Sequence, residues 1–412
     1  MKNKFCLIGK TLKHSFSPQI HLTLGDYNYS LVEVAKENLQ SFVKNKEYAG
    51  YNVTIPYKKD VIQYLDGVED VAKEIGAVNT VVNKNGKLVG YNTDFYGMNY
   101  ALKRVGISLS GKKVMILGSG GTSSTATAVA RHGGAREIII VSRSGENNYQ
   151  NYHLQKDVEI IINTTPVGML PNNYERLVDL DCFERLEGVL DVVYNPTLTN
   201  LLMQAREKGI KYSNGLPMLV AQAKKSAEYF IDTKIDDEKI DFVINNLERK
   251  IENIVLVGMS GCGKTTIGQA LAEKLNREFI DTDLEIIKKD GRDIPTIFKQ
   301  SGEDYFRNLE REVLREVGIL SGKVIATGGG IVENEENYFP LKQNGKIFYL
   351  QRELETLDRK GRPLATDLMA VKNLFERRKQ KYLDFADILI ENNKELQNTV
   401  GEILGYYEDI SD

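Results

Sequence analysis

Short apolar runs alternate with amphipathic stretches along almost the whole chain. They fall in three successive series, which begin with "KFCLIG" at Lys4, "KKVMIL" at Lys112 and "ENIVLVG" at Glu252. Apolar runs of about four to eight residues have the length of buried strands, and helical patterns between them are typical of crossovers joining parallel strands. The pattern therefore predicts an α/β chain.

Three local patterns give more specific expectations. The stretch "REFIDTD" predicts a strand that reaches Asp283, and "DDEKIDFVINNLERK" predicts a helix that runs up to Lys250. Between "REIIIVS" and "DVEIIINTT" the chain is too short for a full-sized crossover helix.

Composition and charge narrow the class of protein. A length of 412 residues predicts two or three domains, and the 42% hydrophobic and 27% charged residues are ordinary for a globular protein. The net charge of −3 gives no electrostatic reason to expect a nucleic-acid or membrane partner. No apolar stretch reaches the roughly 18 residues of a membrane helix, and the run Phe5–Ile8 is short for a signal peptide. Three cysteines without metal-site spacing suit a cytoplasmic protein, and the oligomeric state stays open.

The stretch "NIVLVGMSGCGKTTIG" from Asn253 matches the phosphate-loop pattern G-x4-G-K-[ST], after an apolar strand and before a helix. Backbone N–H groups and the helix N-terminus would bind phosphate oxygens. Lys264 would reach the transferring phosphate, and the Thr265 hydroxyl would bind Mg²⁺. The residues expected to hold this nucleotide are Ser260, Gly261, Cys262, Gly263, Lys264, Thr265 and Thr266.

Three further motifs accompany the phosphate loop. "FIDTD" carries Asp281 and Asp283, whose side chains would share one face if the chain is extended. "FRNLE" places Arg307 and Glu310 at i, i+3, where the carboxylate can hold the guanidinium. "ATGGGI" ends an apolar strand in a triglycine, Gly328–Gly330.

Together these motifs make residues 251–412 resemble shikimate kinase. The resemblance implies ATP and Mg²⁺ as cofactors, with Thr265 and Asp281 at the metal. It implies that Asp283 binds the ring hydroxyls and accepts the proton of the attacking one, and that Arg362 belongs to a closing lid. The implied substrate-binding residues are Arg307, Gly328, Gly329, Gly330 and Arg378.

A second glycine turn, "VMILGSGGTSS" from Val114, resembles a dinucleotide-binding fingerprint in which Ser123 takes the third glycine position. The next predicted strand ends at Ser142–Ser144, where an acidic residue would indicate NAD. Arg143 suits a 2′-phosphate and hence NADP, although an arginine at this point is equally common as a solvent-facing residue. The residues expected to bind this cofactor are Gly118, Ser119, Gly120, Gly121, Thr122, Ser142, Arg143 and Ser144.

A series of motifs in the first 250 residues resembles shikimate dehydrogenase. The motifs are "GKTLKHSFSPQIH", "YNVTIPYK", "GAVNTVV", "GYNTDFYG", "INTTPVGM", "DVVYNPTLT" and "NGLPMLVAQA", and the resemblance covers residues 4–247. It implies that Lys58 and Asp94 form the catalytic pair and that Gly215 lies at the nicotinamide end of the cofactor. Hydride addition to a ketone leaves an alkoxide, which a nearby ammonium can protonate. The implied substrate-binding residues are Ser15, Ser17, Thr54, Asn79, Tyr194 and Gln222.

The two resemblances imply three α/β domains in one chain. They are a substrate-binding domain (1–100) on which helices of 214–248 pack back, a Rossmann-like NADP domain (101–248) and a P-loop kinase domain with a central parallel sheet (251–412). We expect reduction of 3-dehydroshikimate to shikimate with NADPH, followed by phosphorylation of shikimate to shikimate 3-phosphate with MgATP. Two alternatives stay open: a quinate/shikimate dehydrogenase fused to another small-molecule kinase, and a metabolite-sensing regulator without turnover.

Overall fold

The computed structural model describes residues 4–12, 15–357 and 368–407. The chain divides into two compact units, Met1–Asn246 and Leu247–Asp412. Among the described residues, none of the helices combines the length and the apolar character that crossing a bilayer requires.

The first part of unit 1 is a six-stranded mixed sheet with helices. Its strands are β1 (Lys4–Gly9), β2 (Asn28–Glu33), β3 (Gly50–Val53), β4 (Gly67–Val68), β5 (Thr80–Lys84) and β6 (Lys87–Tyr91), in the order β2-β1-β3-β5-β6-β4. Its helices are α1 (Ser17–Leu24), α2 (Leu39–Asn45), α3 (Asp70–Ile75) and α4 (Thr93–Arg104). Strand β1 is parallel to both neighbours, whereas β5 is antiparallel to β3 and β6.

The second part of unit 1 is a five-stranded parallel sheet. Its strands are β7 (Lys113–Leu117), β8 (Glu137–Val141), β9 (Ile160–Asn163), β10 (Gly188–Asp191) and β11 (Lys211–Ser213), in the order β11-β10-β9-β7-β8. Helix α5 (Gly121–His132) follows β7, and α6 (Asn200–Glu207) follows β10. Between β8 and β9 the chain forms one 3₁₀ turn, Tyr152–Leu154, which confirms that this connection lacks a full crossover helix.

Two long helices complete unit 1. Helix α7 (Leu216–Ile231) packs on α4 and also contacts α1 and β5, so it covers the first sheet although it follows the second in sequence. Helix α8 spans Glu238–Ile251, one residue beyond the predicted end, and the division between the units falls within it.

Unit 2 is a parallel sheet surrounded by helices. Its strands are β12 (Asn253–Val257), β13 (Phe279–Asp281), β14 (Val324–Ala326), β15 (Gly345–Gln351) and β16 (Ile388–Glu391), in the order β13-β14-β12-β15-β16. Its helices are α9 (Lys264–Leu275), α10 (Thr282–Asp290), α11 (Ile294–Gly318, kinked at Gly302), α12 (Tyr338–Lys342), α13 (Leu368–Phe385) and α14 (Leu396–Leu404). All five residues of β12 are buried, as expected for a central strand covered on both faces. The predicted α/β fold class is confirmed.

One strand ends earlier than the sequence pattern predicts. Strand β13 stops at Asp281, and α10 begins at Thr282, so the expectation that Asp283 lies on an extended segment is wrong. The reason is a helix cap, because the Asp281 carboxylate accepts a hydrogen bond from the Asp283 backbone N–H at 3.0 Å.

A buried carboxylate fixes the turn from α7 to α8. Glu228 accepts hydrogen bonds from Lys224 at 2.8 Å and from the backbone N–H of Ile235 at 3.1 Å, and each member of the Lys224–Glu228 pair is only 5% exposed. Burial by itself raises the pKa of Glu228, but these bonds and that from Lys225 outweigh it and lower the pKa to about 2. The carboxylate is therefore ionised and structurally required near neutral pH.

Glu228→Gln should destabilise unit 1 by about 3 kcal/mol at pH 7, because it leaves the buried Lys224 ammonium with less compensation. The pKa of this carboxyl in the folded chain lies below its ordinary value of 4.5. Its stabilisation is therefore full above about pH 4.5 and is lost as the pH falls towards 2, so the difference between wild type and variant should stay nearly constant from pH 7 to about pH 5 and shrink from pH 5 to pH 3. Urea unfolding followed by far-UV circular dichroism measures both effects. The control is Glu184→Gln, whose exposed ion pair with Lys156 should contribute less than about 0.5 kcal/mol.

Candidate active sites

A cavity of about 680 Å³ opens in unit 1 where the ends of β1, β3 and β10 meet the start of α7. The carboxyl ends of parallel strands are where ligands bind in α/β folds. The predicted residues that line the cavity are Ser15, Ser17, Thr54, Lys58, Asn79, Asp94, Thr122, Tyr194, Gly215 and Gln222. Every residue that the sequence assigned to the unit 1 substrate or to its catalytic pair thus lies in one cavity wall.

Lys58 and Asp94 form an ion pair in this wall, with Nζ and Oδ2 2.6 Å apart. Asp94 lies in the first turn of α4, whose cap is the Asn92 side chain, and the Lys58 carbonyl accepts the Val78 N–H at 2.8 Å. The Lys58 side chain is 26% exposed, so its ammonium remains accessible from the cavity. The pair therefore places an N–H donor next to a carboxylate that holds it in position in the cavity wall.

A buried polar network that the sequence did not reveal supports the cavity floor. The Asn79 side-chain oxygen accepts the Thr93 N–H at 2.7 Å, so the Asn79 amide nitrogen is the part that can donate to a ligand. Asn52 donates to Ser226 on α7 at 2.8 Å, and Thr93 lies 3.1 Å from the same hydroxyl. Asn52 is a polar residue in the fully buried strand β3, which is the one sequence signal that could have indicated its role.

The loop that carries Tyr194 is held by another residue missed in the sequence. Asp191 is fully buried at the end of β10 and accepts hydrogen bonds from Asn163, the Val193 N–H and Thr199 at 2.7 to 3.0 Å. Burial raises the pKa of Asp191 to about 7 although these bonds act in the opposite direction. The network fixes the backbone from which Tyr194 reaches the cavity.

Gly215 lies where two backbone segments nearly touch. A Cβ atom at this position would stand far inside van der Waals distance of the Val192 carbonyl, and the Gly215 N–H donates to the Val193 carbonyl at 2.9 Å. Only glycine allows α7 to begin so close to the Tyr194 loop.

The glycine turn of the second sheet presents the N-terminus of α5 to solvent. Ser119, Gly120 and Gly121 are exposed, and Thr122 reaches the cavity wall. Gly118 N–H donates to the Val141 carbonyl at 2.8 Å, which brings the turn beside the loop after β8. That loop contains the other predicted cofactor residues, Ser142, Arg143 and Ser144. Exposed N–H groups beside an exposed guanidinium fit a phosphorylated dinucleotide that extends towards the cavity.

In unit 2 the predicted phosphate loop joins β12 to α9, which begins at Lys264. The loop and the first turn of α9 contain Ser260, Gly261, Cys262, Gly263, Lys264, Thr265 and Thr266. The Thr265 hydroxyl donates to Asp281 Oδ2 at 2.9 Å, so the two predicted metal ligands lie side by side. Two hard oxygen donors next to a phosphate loop fit Mg²⁺, which keeps several water ligands.

Three predicted site residues of unit 2 lie against the triglycine that follows β14. A Cβ atom on Gly328 would stand 2.6 Å from Asp283 Oδ1, and one on Gly330 would stand 2.5 Å from both terminal nitrogens of Arg307. A Cβ atom on Gly329 would overlap Ser260 of the phosphate loop. The absence of side chains thus lets the carboxylate, the guanidinium and the phosphate loop all approach this one short segment.

The two predicted arginines of unit 2 that the structure describes, Arg307 and Arg378, lie at the triglycine. Arg307 is 2.9 Å from Glu310, which confirms that this carboxylate holds the guanidinium, and Glu310 is 1% exposed. Arg378 is buried on α13 and donates from Nη1 to the Gly329 carbonyl at 3.1 Å. The predicted lid residue Arg362 lies outside the described residues.

Comparisons with known proteins agree with these geometries. The family model for the shikimate dehydrogenase substrate-binding domain matches residues 7–81, and that for shikimate kinase matches residues 260–408. The shikimate dehydrogenase (NADP(+)) of Clostridium beijerinckii is 37% identical over 251 residues, which cover 56% of this chain and 93% of that protein.

Two solved structures are similar to unit 1. A chorismate mutase/shikimate 5-dehydrogenase fusion protein from Clostridium acetobutylicum has a TM-score of 0.58 and 34% identity, covering 60% of this chain and 98% of its own. The shikimate 5-dehydrogenase of Thermus thermophilus in complex with NADP(H) and shikimate has a TM-score of 0.54 and 27% identity. The match covers 59% of this chain and 99% of that one.

Fold and site define the chain as an α/β enzyme that joins a dinucleotide-dependent oxidoreductase to a phosphate-loop kinase. More particularly, the chain belongs to the shikimate dehydrogenase family through unit 1 and carries a shikimate kinase domain in unit 2. Both predicted families are confirmed, and with them the two enzyme classes and the cofactors NADP(H), ATP and Mg²⁺.

Gly330→Ala should push the Arg307 guanidinium from its place, because the new Cβ would overlap two of its nitrogens. We expect the KM for shikimate in the kinase reaction to rise at least about tenfold, the cost of one lost charge-assisted hydrogen bond. Steady-state kinetics at varied shikimate concentration measures this KM. The matched control is Gly401→Ala, which meets open space in α14 and should leave KM unchanged. An unchanged KM in a folded Gly330→Ala chain would contradict the placement of Arg307.

Proposed function

We propose that this chain catalyses two consecutive reactions: reduction of 3-dehydroshikimate to shikimate with NADPH in unit 1, and phosphorylation of shikimate to shikimate 3-phosphate with MgATP in unit 2. The observation that carries the proposal is the Lys58–Asp94 pair in a cavity that also contains Ser15, Ser17 and the turn residue Thr122. We also retain the three proposed domains, 1–100, 101–248 and 251–412, as the functional division of the chain.

In unit 1 the side chains provide a binding pocket and a proton. NADPH, when bound, supplies the hydride. The Ser15 and Ser17 hydroxyls donate to the substrate carboxylate, and the Asn79 amide and Gln222 orient the ring. Lys58 Nζ gives a proton to the ketone oxygen as negative charge develops there, and Asp94 holds the ammonium in place.

In unit 2 the side chains position two anions and remove a proton. MgATP, when bound, supplies the phosphoryl group and the neutralising metal charge. Arg307 and Arg378 hold the shikimate carboxylate, and the phosphate loop with Lys264 holds the phosphates. Asp283 accepts the proton of the attacking hydroxyl. Its position against Gly328 at the triglycine supports this role.

The two reactions should be separable by single substitutions in a coupled assay with 3-dehydroshikimate, NADPH and MgATP. Lys58→Ala should lower NADPH oxidation at least about 100-fold, the usual contribution of a positioned proton donor, and leave shikimate phosphorylation intact. Lys264→Ala should do the reverse. The controls are Lys59→Ala and Lys274→Ala, which replace two exposed lysines, one in each unit, and should change neither rate.

Two outcomes of this assay would contradict the proposal. A folded Lys58→Ala or Lys264→Ala chain that lost both activities would rule out independent sites. A wild-type chain that bound the substrates and turned over neither would indicate a metabolite-sensing regulator.

The exposed Arg143 should make unit 1 prefer NADPH to NADH. Arg143→Ala should reduce the ratio of kcat/KM for the two cofactors at least about tenfold, because a guanidinium bond to the 2′-phosphate contributes about 1.5 to 3 kcal/mol. Initial rates with each cofactor measure the ratio, with the exposed Arg185→Ala as the control. Higher wild-type efficiency with NADH would disprove the role of Arg143.

A further inference from the structure

Glu333 is a carboxylate to which neither the sequence nor the family resemblance assigns a role. It ends the 3₁₀ turn Ile331–Glu333 that directly follows the triglycine, and its side chain is 16% exposed. It lies 2.6 Å from both Arg378 and Arg377 and 3.3 Å from Lys381. One carboxylate thus faces three cations of helix α13.

The three ion pairs are not equivalent, because burial separates them. Arg377 is 56% exposed and Lys381 is 42% exposed, so these pairs are surface pairs that contribute little. The Arg378 side chain is 4% exposed, and loss of its partner would leave an uncompensated buried charge. Of the three ion pairs of Glu333, the one with Arg378 therefore matters most to the structure.

That bond determines which edge of the guanidinium remains for a ligand. Arg378 Nε donates to Glu333 Oε1 at 2.6 Å, and Nη1 donates to the Gly329 carbonyl at 3.1 Å. Nη2 is buried and has no hydrogen-bond partner within the part of the chain that the structure describes. Because a guanidinium is planar and rigid, fixing Nε and Nη1 also fixes the direction of Nη2.

Glu333 keeps its charge over the working pH range. Burial raises the pKa of Glu333, but hydrogen bonds from Arg378 and Arg377 outweigh burial and lower the pKa to about 2. The Glu333 side chain that holds Arg378 is thus an ionised carboxylate at neutral pH.

We propose that Glu333 is a positioning residue of the kinase site, which anchors Arg378 by Nε so that Nη2 points to the carboxylate of shikimate. The inference rests on the proposed function of unit 2. It distinguishes the two arginines by the carboxylates that hold them. Glu310 holds Arg307 from one turn away on the same helix, and Glu333 holds Arg378 from a different element.

The test uses the full chain and measures kcat, the KM for shikimate, the KM for ATP and the melting temperature. Glu333→Ala should raise the KM for shikimate at least about tenfold and leave the KM for ATP within about twofold, because only the carboxylate-binding guanidinium is released. Glu333→Gln should restore much of the loss, since its side-chain oxygen can still accept the Nε hydrogen bond. The matched control is Arg377→Gln, which removes an exposed partner of the same carboxylate and should leave every constant unchanged.

A double substitution distinguishes positioning from general support of the fold. In an Arg378→Ala background, Glu333→Ala should raise the KM for shikimate no further, because the residue through which it acts is gone. An equal rise in both backgrounds, or a joint rise of both KM values with a lower melting temperature, would overturn the proposal. Should Glu333→Ala not fold, Glu333→Asp, whose shorter side chain draws the carboxylate back from Nε, gives the same comparison in the two backgrounds.

The outcomes also separate this inference from the function on which it rests. A wild-type chain that does not phosphorylate shikimate would overturn both. An active wild type with an unchanged shikimate KM in Glu333→Ala would overturn the positioning role alone.

Discussion

Both sites depend on backbone that approaches other groups more closely than any side chain would allow. In unit 1 the start of α7 at Gly215 lies against the Val192 carbonyl, which closes the cavity beneath the Tyr194 loop. In unit 2 the triglycine lies against Asp283, Ser260 and Arg307. Polar groups from separate elements can surround one small ligand only because these segments occupy so little space.

The same closeness explains why the partly and fully buried cations are paired. Lys58 is matched by Asp94, Arg307 by Glu310 and Arg378 by Glu333. Removing a cation from water is costly unless a carboxylate compensates it, and a compensated cation is also fixed in direction. Each pair therefore both permits burial and orients the group that meets the ligand.

The sequence predicted the central strands and the position of the phosphate loop well, because both carry local signals. Strand β12 is a continuous apolar run, and the phosphate loop has a fixed spacing. The end of β13 was mispredicted because a side-chain cap at Asp281, and not hydrophobic periodicity, starts α10 there. The network around Asn52 could not be predicted, since its partner Ser226 is 174 residues away and only tertiary packing brings them together.

Glu333 escaped prediction for a related reason, and its role follows from the charges that unit 2 has to hold. Under the proposed function, unit 2 binds a carboxylate and a triphosphate in one pocket, where two anions repel each other strongly. In the same proposal, neutral hydroxyls bind the carboxylate in unit 1, whereas in unit 2 guanidinium groups offset the repulsion. Those cations must then be held apart from the phosphates that would also attract them. A carboxylate at the far edge of Arg378 does this, and its place 45 residues away in sequence leaves no motif to mark it.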